Sequence, residues 1–220
     1  MKKELTWMDG IVLVIWALPL LYLLSVYPLL GPTLPLHFNI QGTPDSWGSR
    51  AEFIGVIAFL SGISLGAALL FRFLPRIDPK KQAKYSGVVF VRIGYALVLF
   101  MSVISVTIIH ATTHGRYSFP DRFIYSVLGL FFAYLGNLMN NVKPNYFFGI
   151  RTPWALENEE VWRKTHQLAA RLWLPGGLLL VVLSLILHGE VMHASFIAIV
   201  LVLGIVPVVY SYFYYRKLSR

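Results

Sequence analysis

Apolar residues in this chain come in six blocks, each near the length at which a helix crosses a lipid bilayer. The blocks are Ile11–Leu30, Phe53–Phe71, Gly87–Ile109, Phe123–Met139, Leu168–Leu187 and Ala194–Tyr215. A helix needs about 20 residues to cover roughly 30 Å of hydrocarbon, and a backbone in lipid must satisfy its own hydrogen bonds. The blocks do not alternate with a period of two, so they lack the pattern of a transmembrane β-barrel. Composition agrees, with 57% hydrophobic and 13% charged residues against about 45–50% and 25% in soluble domains. The expected fold class is therefore an all-α integral membrane protein with about six transmembrane helices. Pro19, Pro175 and Pro207 fall inside spans, where a kink is tolerated if another group takes up the freed carbonyl. The first block exceeds the apolar region of a secretory signal and lacks a small-x-small cleavage site after it, so it is read as a retained helix.

The 19 lysines and arginines set the expected orientation. With the N-terminus inside, sixteen of them fall on inner segments, and only Arg50, Arg116 and Arg122 fall outside. Such a bias places both termini in the cytoplasm. Arg72, Arg92 and Arg171 sit just within inner helix ends, where snorkelling is cheap. The net charge of +9 is thus spread along helix ends as topology signals and lipid contacts rather than gathered into a nucleic-acid patch. There are no cysteines, which excludes disulfides, thiolate metal sites and cysteine nucleophiles.

Residues 1–220 read as one membrane domain with two halves, 1–115 carrying a long outer loop at 31–52 and 116–220 carrying a long inner loop at 140–167. Each loop follows the first helix of its half and holds a Thr-Pro-Trp cluster: Thr43, Pro44 and Trp47, then Thr152, Pro153 and Trp154. A 3+3 inverted repeat would look like this, and so would coincidence. In the outer loop, Pro32, Pro35, Gly42, Pro44 and Gly48 favour successive turns. Phe38, Ile40 and Trp47 are expected to dip toward the interface, with His37, Asn39, Gln41 and Asp45 between them. Either a re-entrant cap or a recognition surface fits. In the inner loop, Thr152 then Pro153 reads as a helix start. Glu157, Glu159 and Glu160 come early and Arg163, Lys164 and His166 late, as a helix dipole favours. Trp154, Val161, Trp162 and Thr165 share a face, predicting an interfacial helix, or a docking site anchored on Arg151 and the tryptophans.

These motifs carry a specific resemblance. Gly136-Asn137, Lys143-Pro144-Asn145, Gly149-Ile150-Arg151-Thr152-Pro153-Trp154-Ala155-Leu156 and Val161-Trp162-x-Lys164-Thr165-His166 resemble the signature of the SdpI family of bacterial multi-pass immunity proteins. Pro35-x-His37-Phe38-Asn39 and Gly42-x-Pro44-Asp45-x-Trp47-Gly48-Ser49 are similar to the uncharacterised N-terminal domain that accompanies it. The sequence departs at Ala155, where threonine is expected, and at Arg50, where lysine is frequent. The resemblance implies protection from a secreted, membrane-active killing peptide at the bacterial cytoplasmic membrane. It also implies relay of the toxin's presence to a cytoplasmic repressor. The cytoplasmic motif residues would be Asn145, Gly149, Arg151, Thr152, Pro153, Trp154, Trp162 and His166. Location and chemistry make His37, Asn39, Asp45 and Trp47 the candidate toxin-facing set.

No hydrolase, phosphate-loop or dinucleotide motif is present, no charged residue lies at mid-depth of a span, and no cofactor is expected. Five of the six histidines, His37, His110, His114, His188 and His193, fall at outer helix ends. They are weak candidates for a metal and leave open an outer-face metal-dependent enzyme. A toxin exporter is the other alternative.

Overall fold

The computed structural model describes residues 6–39, 43–77, 87–114 and 121–219. Ile40, Gln41 and Gly42 of the outer loop, and the basic residues Lys2, Lys3, Lys80, Lys81, Lys84, Arg116 and Arg220, lie outside them. The elements in order are α1 (Trp7–Val26), a 3-10 turn (Tyr27–Leu29), β1 (Thr33–Phe38), β2 (Pro44–Ser49), α2 (Arg50–Ile77), α3 (Gly87–Thr113), α4 (Asp121–Met139), α5 (Pro153–Glu157), α6 (Glu159–Ile186) and α7 (Gly189–Leu218). Among the described residues, six helices are long and apolar enough to span a membrane, as the hydropathy pattern predicts. Large apolar side chains such as Leu24, Phe59, Leu185 and Phe213 stand exposed on them, as lipid-facing positions do. The protein is a multi-pass membrane protein.

Contacts divide the described chain into two compact units, and the division cuts through α2 and α3. One unit comprises 1–70 with 94–120; the other comprises 71–93 with 121–220.

In the first unit, the Asp9 carboxylate closes the start of α1 by accepting from the Thr6 backbone N–H (2.7 Å) and hydroxyl (2.9 Å). The Tyr95 hydroxyl donates to the same carboxylate at 2.6 Å, tying α3 to α1. Leu23, Val26, Leu30, Leu34, Phe53, Ile57 and Ile109 form its apolar core.

The outer loop forms a two-stranded antiparallel hairpin where successive turns were expected. β1 pairs with β2 through Thr33–Ser49, Leu34–Gly48, Pro35–Trp47, His37–Ser46 and Phe38–Pro44, with irregularities on both sides of His37. Proline is tolerated because a two-stranded sheet is all edge. The strands hold because β1 has apolar surface to bury: Leu34 and Pro35 are buried and Leu36 packs on the core. Leu36 also explains Gly48, since a Cβ there would collide with that leucine and with the Glu52 carboxylate. The hairpin hands directly into α2 through Ser49-Arg50-Ala51-Glu52. Glu52 accepts from the Ser49 N–H (2.7 Å) and hydroxyl (2.8 Å), and the Ser49 oxygen accepts from the Glu52 N–H (3.3 Å). This is a capping box.

In the second unit, α4 and α6 approach closely along small residues. A Cβ on Gly129 would lie 2.6 Å from the Gly177 carbonyl oxygen, and one on Gly136 would lie 2.7 Å from the Trp173 Cβ. Close backbone approach of this kind is how helices associate in lipid, where burial of apolar surface gives no driving force. The Ser126 and Ser184 hydroxyls meet at 2.7 Å between the same helices. Pro207 in α7 has no N–H for the Leu203 carbonyl four residues earlier, and the Trp173 indole N–H donates to that carbonyl at 2.8 Å. The freed carbonyl is thus satisfied from a neighbouring helix.

Candidate functional site

The inner loop is fixed by a set of side-chain bonds to its backbone. Asn145, 2% exposed, uses its whole amide. Its Oδ1 accepts from the Phe147 and Phe148 N–H groups, both at 2.8 Å. Its Nδ2 donates to the Lys143 carbonyl at 2.8 Å and to the Phe148 carbonyl at 3.1 Å. The turn delivers Gly149 at φ +112°, a conformation L side chains rarely adopt, with its Cα facing the His166 ring so that a Cβ would strike Nε2. The next residue closes the loop: the Ile150 N–H donates to His166 Nε2 at 3.1 Å.

His166 contacts the Trp162 carbonyl through Nδ1 at 2.8 Å. One partner can only donate and the other can only accept, so the ring is the neutral tautomer with its proton on Nδ1. Trp162 stacks on His166 with centroids 4.1 Å apart and donates its indole N–H to the Val142 carbonyl at 2.8 Å. Trp162 is 1% exposed and His166 2%. Both therefore shape the loop from inside.

Beyond the lock, α5 is a single turn of five residues. The expected helix from Thr152 through His166 is broken at Asn158, whose Oδ1 accepts from the Glu160 (2.9 Å) and Val161 (3.1 Å) N–H groups and starts α6. Val161, Trp162, Thr165 and His166 thus belong to the fifth span's own helix, which begins at Glu159 and not at Leu168. Thr152 flanks α5 without a side-chain capping bond; its hydroxyl lies 3.2 Å from that of Ser211. The Ser211 hydroxyl accepts from the Trp154 indole at 2.7 Å and donates to the Val208 carbonyl at 2.6 Å. Trp154 packs edge-on to Tyr212, centroids 5.3 Å apart. Arg151 is exposed and donates to the Tyr146 carbonyl. Ala155, where threonine was expected, is fully buried. Arg151 with Tyr146, Ile150, Leu156 and Val208 borders an open cavity of about 540 Å³.

Sequence reasoning missed Ser211 and Asn158. Ser211 has no local signal, since its partners lie about 57 and 59 positions away. Asn158 followed by two glutamates and an apolar residue is a helix-start pattern hidden inside what reads as one acidic helix.

Of the four candidate residues on the hairpin, His37 and Asp45 meet, while Asn39 and Trp47 have other neighbours. His37 Nδ1 and Asp45 Oδ1 are 2.6 Å apart, with side chains 69% and 43% exposed. Asn39 is tied to Thr43, its Oδ1 accepting from the Thr43 N–H at 3.0 Å and its own N–H donating to the Thr43 carbonyl at 2.9 Å. Trp47 is 49% exposed beside Pro35 on the paired strand. Arg50, the other departure, donates through Nε to the Gly31 carbonyl at 3.0 Å and lies over the Tyr27 ring.

The remaining outer histidines have separate partners. His110 packs at a tilt against His114 with centroids 4.1 Å apart, and its Nδ1 lies 3.0 Å from the Tyr22 hydroxyl. His188 contacts Arg122 at 2.6 Å. His193 is buried beside Tyr125. Among the described residues no three His, Cys, Asp or Glu side chains are grouped to hold a metal.

Residues 141–211 match the model of the SdpI/YfhL protein family, and residues 14–62 match a domain of unknown function (DUF1648). The first match runs from the start of the locked loop to Ser211; the second takes in β1, β2 and the capping box. Over 99 residues the chain is 34% identical to the Immunity protein SdpI of Bacillus subtilis (strain 168), a stretch covering 45% of this chain and 47% of that protein. The match thus spans about half the length of that relative. No solved structure matches.

Proposed function

We propose that this chain is an immunity protein of the bacterial cytoplasmic membrane that protects its cell by binding or excluding a secreted, membrane-active peptide. The observation that carries this reading is the 34% identity to a protein named for immunity, together with a family match that coincides with the locked loop and its Ser211 anchor. The lysine and arginine distribution supports an orientation with both termini inside. The hairpin then faces the side from which a secreted peptide arrives, and the locked loop faces the cytoplasm.

In this reading the hairpin is the peptide-facing element. Trp47 offers a large rigid contact, and the exposed His37–Asp45 pair offers charge and hydrogen bonds. The strand pairing and the Asn39–Thr43 bonds hold these groups before the peptide arrives, which lowers the ordering cost of binding. On the other face, Trp162, His166 and Asn145 are buried, so any repressor that docks there meets Arg151, Pro153 and the surface they border.

Expression in a sensitive host, followed by challenge with the peptide and a mass measurement of what is recovered, tests the proposal. Survival with intact peptide is the expected result. Survival with cleaved peptide would instead assign an enzyme, and energy-dependent release of labelled peptide would assign an exporter. No protection would refute the immunity role.

A further inference from the structure

The end of α4 and the first half of α6 enclose an open cavity of about 440 Å³. Its lining includes the polar Asn137, Asn140, Gln167 and Arg171 and the apolar Leu174 and Pro175. None of those four polar side chains makes a hydrogen bond or ion pair with the other described residues. No acidic residue lines the cavity. The adjoining cavity, about 340 Å³, differs in this respect, since Glu159 and Glu160 there offset Lys143 and Arg163.

Depth gives the polar cluster its meaning. Between Arg171 and the end of α6 runs the uncharged stretch 172–186, about 23 Å of helix at 1.5 Å per residue. This is shorter than a hydrocarbon layer roughly 30 Å thick, so the long Arg171 side chain can reach the lipid phosphates at the near boundary. At the same level, Pro175 supplies no N–H to the Arg171 carbonyl, which leaves an acceptor without its helical donor.

We propose that this groove is a headgroup site for an anionic glycerophospholipid of the phosphatidylglycerol type. The guanidinium and the three amides supply donors for the phosphate, the Arg171 carbonyl can accept from a headgroup hydroxyl, and Leu174 and Pro175 lie where the acyl chains begin. A free phosphate would use the donors but not the apolar wall, so the site selects a lipid. The site is independent of the immunity reading, because it rests on α4 and α6 alone.

The full chain in detergent is titrated with phosphatidylglycerol, phosphatidylcholine or glycerol 3-phosphate, and bound lipid is read by native mass spectrometry. Phosphatidylglycerol should bind best, and Arg171→Gln should weaken it by roughly five- to tenfold. Lys217→Gln, which removes a cation at the end of α7, should bind as the parent does. Asn137→Ala with Gln167→Ala keeps the charge and should weaken binding by about threefold, which preserves a test if Arg171→Gln fails to fold. Equal binding of the two lipids, full competition by glycerol 3-phosphate, or unchanged binding by both cavity variants would overturn the proposal.

Discussion

Replacing Gly149 by alanine tests the lock that holds the inner loop. At φ +112° any L side chain is strained, at a cost of about 1–3 kcal/mol. The new Cβ also strikes His166 Nε2, so the ring must move. That movement leaves the part-buried Ile150 N–H without its acceptor, a further loss of about 1–3 kcal/mol. The expected total is about 2–6 kcal/mol. Gly189 supplies the control. Its φ is also positive, at +54°, but nothing lies within 4 Å of where its Cβ would go, so Gly189→Ala should cost about 1–2 kcal/mol. Unfolding of both variants in mixed micelles titrated with a denaturing detergent compares them directly, and amide hydrogen exchange at Ile150 reports the broken bond. Equal destabilisation of the two variants, or unchanged protection at Ile150, would refute the lock.

Three further outcomes follow from the same structure. Trp173→Phe strands the Leu203 carbonyl that Pro207 deprives of its donor and should cost about 1–3 kcal/mol; in a Pro207→Ala background, where the backbone donor returns, unfolding measurements should show a smaller loss. Trp154→Ala removes the bond to Ser211 and the packing on Tyr212 and should lower stability by about 2–3 kcal/mol, read as reduced membrane abundance; normal abundance with lost repressor recruitment would make that face a docking surface instead. Single cysteines at Ser46 and Thr113 should react with an impermeant reagent on whole cells, whereas those at Asn158 and Ser219 should not; labelling at Asn158 from outside would end the six-span orientation.

The spans were legible because lipid imposes a length and a hydropathy that the chain must show residue by residue. The hairpin was not, because Pro35, Pro44 and Gly48 read as turn residues. The reason they sit in strands is tertiary: Leu34 and Leu36 bury against the helices, and Gly48 must pass close to Leu36. The inner motif was legible as a set of residues through family likeness, but its chemistry was not. Trp162 and His166 read as exposed anchors or late helix charges, and they are a buried stacked pair. The α4–α6 seam of Gly129, Gly136 and Gly177 escaped notice because small residues raise no hydropathy signal in a span. Ser211 escaped because its partners lie about 57 and 59 positions away in the chain.

The most direct test of the peptide-facing hairpin is protection by Asp45→Ala and Trp47→Ala, measured alongside the amount of each variant in the membrane. Both side chains are well exposed on β2, so their removal should leave the protein level unchanged while protection is lost. If both variants reach the parent's level and still protect, the hairpin is not where the peptide is met.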